Sequence, residues 1–268
     1  MSVPVLLGLP FDGASSFLRG PAEAPAAIRR VLHAGSANWS TERGIDLDPE
    51  LGRWRDAGDL DVPDGSAAAV EQIRSAAGEL DAPLVAIGGD HLVTYPLVSA
   101  LAARHPSLTI LHVDAHPDLY DELDGDRLSH ACPFARIMEG GLAQRLVQFG
   151  IRTATAHQHE QAERFGVETH TASGWDGRLP DVHGDVYVTI DVDGLDPAFA
   201  PGVSHHEPGG LTTRQVLGLV HQVADADGVR LVGADVVEVN PRRDHHDMTA
   251  MLGGKLVKEL LGAMVEQR

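Results

Sequence analysis

At 268 residues with 43% hydrophobic content, the chain is long and apolar enough for one large α/β domain with a substantial core, which excludes a disordered polypeptide. A formal net charge of −18 leaves no basic surplus to neutralise phosphates, so nucleic acid is excluded as a partner, while a small cationic substrate would be steered inward. The single cysteine, Cys132, excludes an internal disulfide and fits a reducing compartment. No apolar run approaches the roughly 20 residues that span a bilayer. The opening Met1–Pro10 is short and broken by prolines, and reads as a strand and not as a signal peptide. A cytoplasmic protein with no membrane partner is expected.

Strand-like runs alternate with helical ones from end to end, the pattern of a largely parallel sheet with helices on both faces. In chain order the sequence predicts a strand at Val3–Leu9, a helix at Ala24–Leu32, a helix at Ser66–Leu80, and strands at Leu84–Ile87 and Leu108–Val113. A loop at Asp121–Arg127 precedes strands at Leu146–Gly150 and Val167–His170, and a second loop at Gly174–Gly184 leads to the strand Val186–Ile190. Thr212-x-x-Gln215 is a capping box that opens a helix to Val223. The strand Val229–Val236 and the helix Met248–Val265, with Met251, Leu256, Leu260 and Leu261 on one face, complete the chain. No repeat or linker divides it, so residues 1–268 are expected to form a single domain.

The chemistry concentrates at strand ends. Asp114, His116 and Asp118 alternate directly after an apolar strand, and a side-chain period of two sends all three from one face. Asp191 and Asp193 follow a second such run, and His91 ends a third at Leu84-Val-Ala-Ile-Gly-Gly-Asp-His91. Ligands in open parallel sheets bind outside the carboxyl ends of the strands, where Glu238 also falls. Two histidines and four aspartates from three strand ends suggest one site for two metal ions, because so many carboxylates would otherwise repel one another in a crevice. Hard oxygens with two imidazoles suit Mn²⁺, with Fe²⁺, Co²⁺, Ni²⁺ or Zn²⁺ as alternatives.

The combination Gly88-Gly-Asp-His91, Asp114-Ala-His-Pro-Asp118, Ser129-His130, Asp191-Val-Asp-Gly-Leu-Asp-Pro197 and Glu238-Val-Asn-Pro241 resembles the ureohydrolase superfamily of arginases and agmatinases. The likeness runs from Gly8-Leu-Pro-Phe-Asp12 to the C-terminal helix. The stretches Ser129–Gly141 and Asp196–His205 look most like plant-type arginases, which group with agmatinases. The resemblance implies a three-layer α/β/α sandwich around a mainly parallel eight-stranded sheet, assembled as a homo-trimer or homo-hexamer. It implies two Mn²⁺ ions, one held by His91, Asp114, Asp118 and Asp191, the other by Asp114, His116, Asp191 and Asp193. His130 matches a proton-shuttling histidine, and Glu238 the carboxylate that holds the guanidinium. The implied reaction is hydrolysis of a guanidino compound to an amine and urea by a hydroxide bridging the ions, in polyamine or arginine metabolism.

Several readings stay open at this stage. The acidic segment Asp121–Asp126 favours agmatine, a decarboxylated cation, whereas the plant-arginase likeness favours arginine; agmatine is the expected substrate, with arginine or another guanidino-acid or formimino compound as the alternative. His205 and His206 stand where many agmatinases carry Thr-Pro, and either line the pocket mouth or are solvated. Asp90 is expected to orient a ligand histidine, Asp196 to fix a turn, His112 to pack beside the site, and Cys132 to be a buried small residue. An amidohydrolase of the deacetylase type uses a single zinc, against the complete two-metal set here. A non-catalytic relative should have lost ligands, and none is lost.

Overall fold

A strand covered on both faces must be apolar along its whole length, and β1 (Val5–Gly8) is buried at every position. The computed structural model describes residues 2–267. It places β1 in one sheet with β2 (Arg55–Asp59), β3 (Leu84–Ile87), β4 (Thr109–Val113), β5 (Arg145–Ile151), β6 (Glu168–Thr171), β7 (Gly184–Asp191) and β8 (Val229–Val237). Every pairing is parallel, in the spatial order β2-β1-β3-β8-β7-β4-β5-β6.

Alternate side chains feed two cores. Leu6, Val85, Leu111 and Val188 pack under α1 (Ala24–Leu32), α6 (Thr213–Asp225) and α7 (Met248–Glu266). Val5, Ala86, Ile110 and Tyr187 face the opposite layer of α2 (Ser66–Gly78), α3 (Thr94–Ala102) and α4 (Pro133–Glu139), with α5 (Ala156–Phe165) beside them. This is the expected three-layer sandwich on eight strands. The capping box at Thr212 forms as anticipated, its hydroxyl accepting from Gln215 N.

Pattern reading missed four elements. β2, Arg55-Asp-Ala-Gly-Asp59, is a polar edge strand with no apolar alternation; it pairs with β1 while the Arg29 guanidinium holds Asp56 and Asp59. In α3 the residues Thr94, Pro96, Leu97, Val98 and Leu101 are all buried, which blurs the amphipathic stripe. α4 is only 7 residues long. α5 carried a readable signal, since Thr155-x-x-Gln158 is a second capping box.

β3, β8, β7 and β4 are contiguous in the sheet. Their carboxyl ends therefore deliver His91, Glu238, Asp191 and Asp114 to one place.

Candidate metal centre and active site

His91 begins a short 3-10 turn directly after β3, capped by the Asp90 carboxylate, which accepts from Leu92 N. Its Nδ1 lies 3.2 Å from Asp114 Oδ2, 3.1 Å from Asp118 Oδ2 and 3.2 Å from Asp191 Oδ2. Beside it, His116 Nδ1 stands 3.2 Å from Asp193 Oδ2 and 3.4 Å from Asp114 Oδ1. All six residues named as ligands from the sequence thus meet in one cluster, and Asp114 faces both imidazoles. Asp118 adopts a left-handed φ of 48°, a conformation that costs a non-glycine residue energy and recurs at functional positions.

The donor set fits metal. His91 Nδ1 is fully buried without a hydrogen-bond partner, although three carboxylate oxygens surround it at nearly equal distance. One N–H could serve only one oxygen; a cation among the four atoms would satisfy all of them. The ring's other nitrogen is spoken for. Thr94, Tyr187 and Thr189 hydroxyls donate to the buried Asp235 carboxylate at 2.8, 2.6 and 2.5 Å, offsetting part of the upward shift that burial gives it. Thr189 Oγ1, having donated to Asp235, accepts from His91 Nε2 at 3.0 Å. Nε2 therefore carries a proton; burial disfavours a second, but Asp114, Asp118 and Asp191 outweigh it and raise His91 well above its usual value, so a metal would replace a proton on Nδ1.

The electrostatics agree. Burial, with repulsion from Asp193 and Asp114, raises Asp191 well above the usual carboxylate range, and burial with Asp114 lifts Asp193 to about 6. Burial resists a charge on His116, but Asp193 and Asp114 outweigh it and push its pKa up to about 12. Without added cations the cluster takes up protons, which metal would displace.

A cavity of about 210 Å³ opens over this cluster, lined by His116, Asp118, Asp191 and Asp193 and by His130, Glu238, Ser16 and His205. His130 Nδ1 is 2.9 Å from Glu238 Oε1, and its Nε2 is 2.9 Å from Ser16 Oγ. Burial disfavours the imidazolium, yet Glu238 overrides it and pushes His130 up to about 9. Glu238, at a left-handed φ of 63°, also accepts from His91 N through Oε1. Its Oε2 is buried with no partner.

Some expectations need correction. Asp90 does not touch an imidazole; it accepts from Ala14 N and Leu92 N and so anchors the loop carrying Ser16. The acidic segment does not present its carboxylates to the cavity. Only Leu123 of that stretch lines it, with Tyr120 just ahead of the stretch, while Asp121 is held by Arg127 and Arg136. His205 lines the cavity, whereas His206 turns away to Pro201 O. Asp196 fixes its turn by accepting from Ala198, Gly209 and Gly210 N, and Cys132 is fully buried, as expected. Sequence reading missed Ser16, Thr189, Asp235 and Gln148. A lone polar residue inside an apolar strand run was the available signal for the last three.

Fold and site define an α/β/α protein with a cluster of nitrogen and oxygen donors able to hold metal at contiguous strand ends. Residues 3–262 match the Arginase family. The chain is 46% identical to Arginase 1, mitochondrial, of Arabidopsis thaliana, over 95% of this chain and 79% of that one. It is 35% identical to the agmatinase of Bacillus cereus, over 96% and 90% respectively. The solved arginase from Medicago truncatula superposes with a TM-score of 0.87 at 40% identity, covering 98% of this chain and 87% of that one. The chain belongs to the arginase family, whose enzymes use a binuclear metal site, and it is a hydrolase of guanidino C–N bonds.

Proposed function

We propose that the protein is a manganese ureohydrolase that converts L-arginine to ornithine and urea. The observation that carries the reaction is the unpartnered Glu238 Oε2, buried in the wall of the cavity above the His/Asp cluster. A guanidinium is the cation whose paired N–H donors answer such a carboxylate. His91, Asp114, Asp118 and Asp191 would hold one Mn²⁺, and Asp114, His116, Asp191 and Asp193 the other. When bound, the pair supplies the charge that makes water acidic near neutral pH and polarises the carbon under attack.

The chain's own residues do the rest. Glu238 holds the guanidinium over the cluster and sustains the charge on His130. His130 keeps its proton at neutral pH and gives it to the departing amine, and Ser16, exposed at the cavity mouth, relays protons to His130 Nε2. Cytoplasmic location and trimeric or hexameric assembly are carried forward within this proposal.

Arginine leads because the likeness to plant arginases is stronger than that to agmatinases, and because the acidic segment keeps its carboxylates from the cavity. Agmatine is the second reading. Among the described residues no Lys or Arg lines the cavity, and Arg152 is spent on the carbonyls of Asp193, Gly194 and Glu207. Urea release from arginine, agmatine, guanidinobutyrate, guanidinopropionate and guanidine with added Mn²⁺ decides the matter. Highest kcat/KM on arginine is expected; a higher value on agmatine selects the second reading, and no urea from any of them overturns both.

A further inference from the structure

One layer beneath the ligands, a polar row crosses the sheet. Gln148, His112, Thr189 and Asp235 are register neighbours on β5, β4, β7 and β8. All four are fully buried. Such groups are costly to bury unless each is partnered, and in this row only Gln148 Oε1 lacks a partner. His112 and Thr189 lie two residues before Asp114 and Asp191 and therefore on the same face. The Thr189–Asp235 end holds His91; the Gln148–His112 end touches Asp114.

The hydrogen bonds at that end admit one assignment. The carbonyl of Pro117 can only accept, so the Gln148 atom 2.7 Å from it is the amide nitrogen. The second amide hydrogen goes to His112 Nδ1 at 3.0 Å. Nδ1 is thus an acceptor, and the ring's single proton sits on Nε2, 2.7 Å from Asp114 Oδ2. Phe134 stacks on the ring at 4.0 Å between centroids and fixes its plane. Asp114 Oδ2 is the oxygen facing His91, whereas Oδ1 accepts from His116 N at 2.6 Å.

We propose that Gln148 and His112 form a positioning relay for the metal site: the relay aims Asp114 so that each oxygen serves one ion, and it withholds both His112 nitrogens from metal. Without it, His91, His112 and Asp114 lie close enough to compete as a ligand triad of their own. The relay acts most on the ion beside His91, because the His112 N–H holds the oxygen on that side. This rests on the binuclear reading above.

The test is Mn²⁺ titration of the metal-depleted full-length protein, followed by the paramagnetic resonance of free Mn²⁺. His112→Phe keeps an aromatic ring against Phe134 but removes the donor; His112→Gln restores an N–H near the reach of Nε2. In a His116→Asn background, which isolates the His91 side, His112→Phe should weaken Mn²⁺ binding about 10–100-fold, the usual cost of losing a group that orients a ligand. His112→Gln should recover most of that loss. If His112→Phe does not fold, as judged by circular dichroism, Gln148→Met carries the same test and should weaken binding in the same direction. Parent-like affinity in the folded variant, or weaker binding by His112→Gln than by His112→Phe, overturns the relay and makes the row a packing layer. A parent protein that binds no Mn²⁺ overturns the binuclear reading itself, and the relay with it.

Discussion

The two halves of the metal cluster are built differently. The His91 side chain is fully buried, faces three carboxylates, and has its far nitrogen tied through Thr189 to Asp235. The His116 side chain is 26% exposed at the cavity, faces the carboxylates of Asp114 and Asp193, and has the His205 ring edge-on at 6.0 Å between centroids. Equal chemistry thus sits in unequal surroundings. A deeply enclosed, pre-oriented half should hold its ion tightly and exchange it slowly, because little has to be reorganised on binding. The open half is the one that can adapt to substrate.

The sharpest way to break this comparison is to remove what both halves need. Asp191→Ala removes a carboxylate assigned to both ions, and it should lose most metal and reduce urea release by about 10³-fold or more, since ions of this kind supply several kcal/mol to the transition state. Elemental analysis showing two retained ions would end the shared-carboxylate account. His130→Asn, outside both halves, should keep both ions while turnover falls about 10²–10⁴-fold; a parent-like rate would transfer the shuttle to His205, which lies 5.1 Å from His130 between ring centroids.

Smaller changes sharpen the contrast. Thr189→Val cuts the His91 relay at its middle and should weaken the His91-side ion about 10–100-fold while sparing the other. Isothermal titration with Mn²⁺ reads the difference, and equal weakening of both ions would contradict it. Glu238→Gln touches the His91 half only through the His91 backbone N–H. Removing the anion that favours the His130 imidazolium must lower its pKa from about 9, and an NMR titration of the metal-free protein should show His130 losing its proton at lower pH. An unmoved titration would assign the upward shift to other groups.

The gathering of the six ligand residues was legible because they fall just past the ends of three apolar runs; the period-two spacing of Asp114, His116 and Asp118 was not the cause, since β4 ends at Val113 and Asp118 turns left-handed. Glu238 was legible from its place just past a predicted strand as well as from motif likeness, whereas His130, in a loop, was legible through likeness alone. What supports the site was not legible. Gln148 and His112 are 36 residues apart and Thr189 and Asp235 46 apart, so their pairing depends on register across the sheet. The acidic segment misled for a related reason. Its composition suggested a field on the substrate, but Arg127 and Arg136 hold Asp121 outside the cavity. β2 escaped because an edge strand needs no apolar face.

The most direct measurement is the time course of Mn²⁺ withdrawal from the loaded protein by an excess of chelator, with bound metal counted throughout. The account predicts two ions per chain at the start, one leaving quickly and one slowly, with the slow phase accelerated by Thr189→Val. A single ion per chain, or two that leave together at one rate, would contradict it.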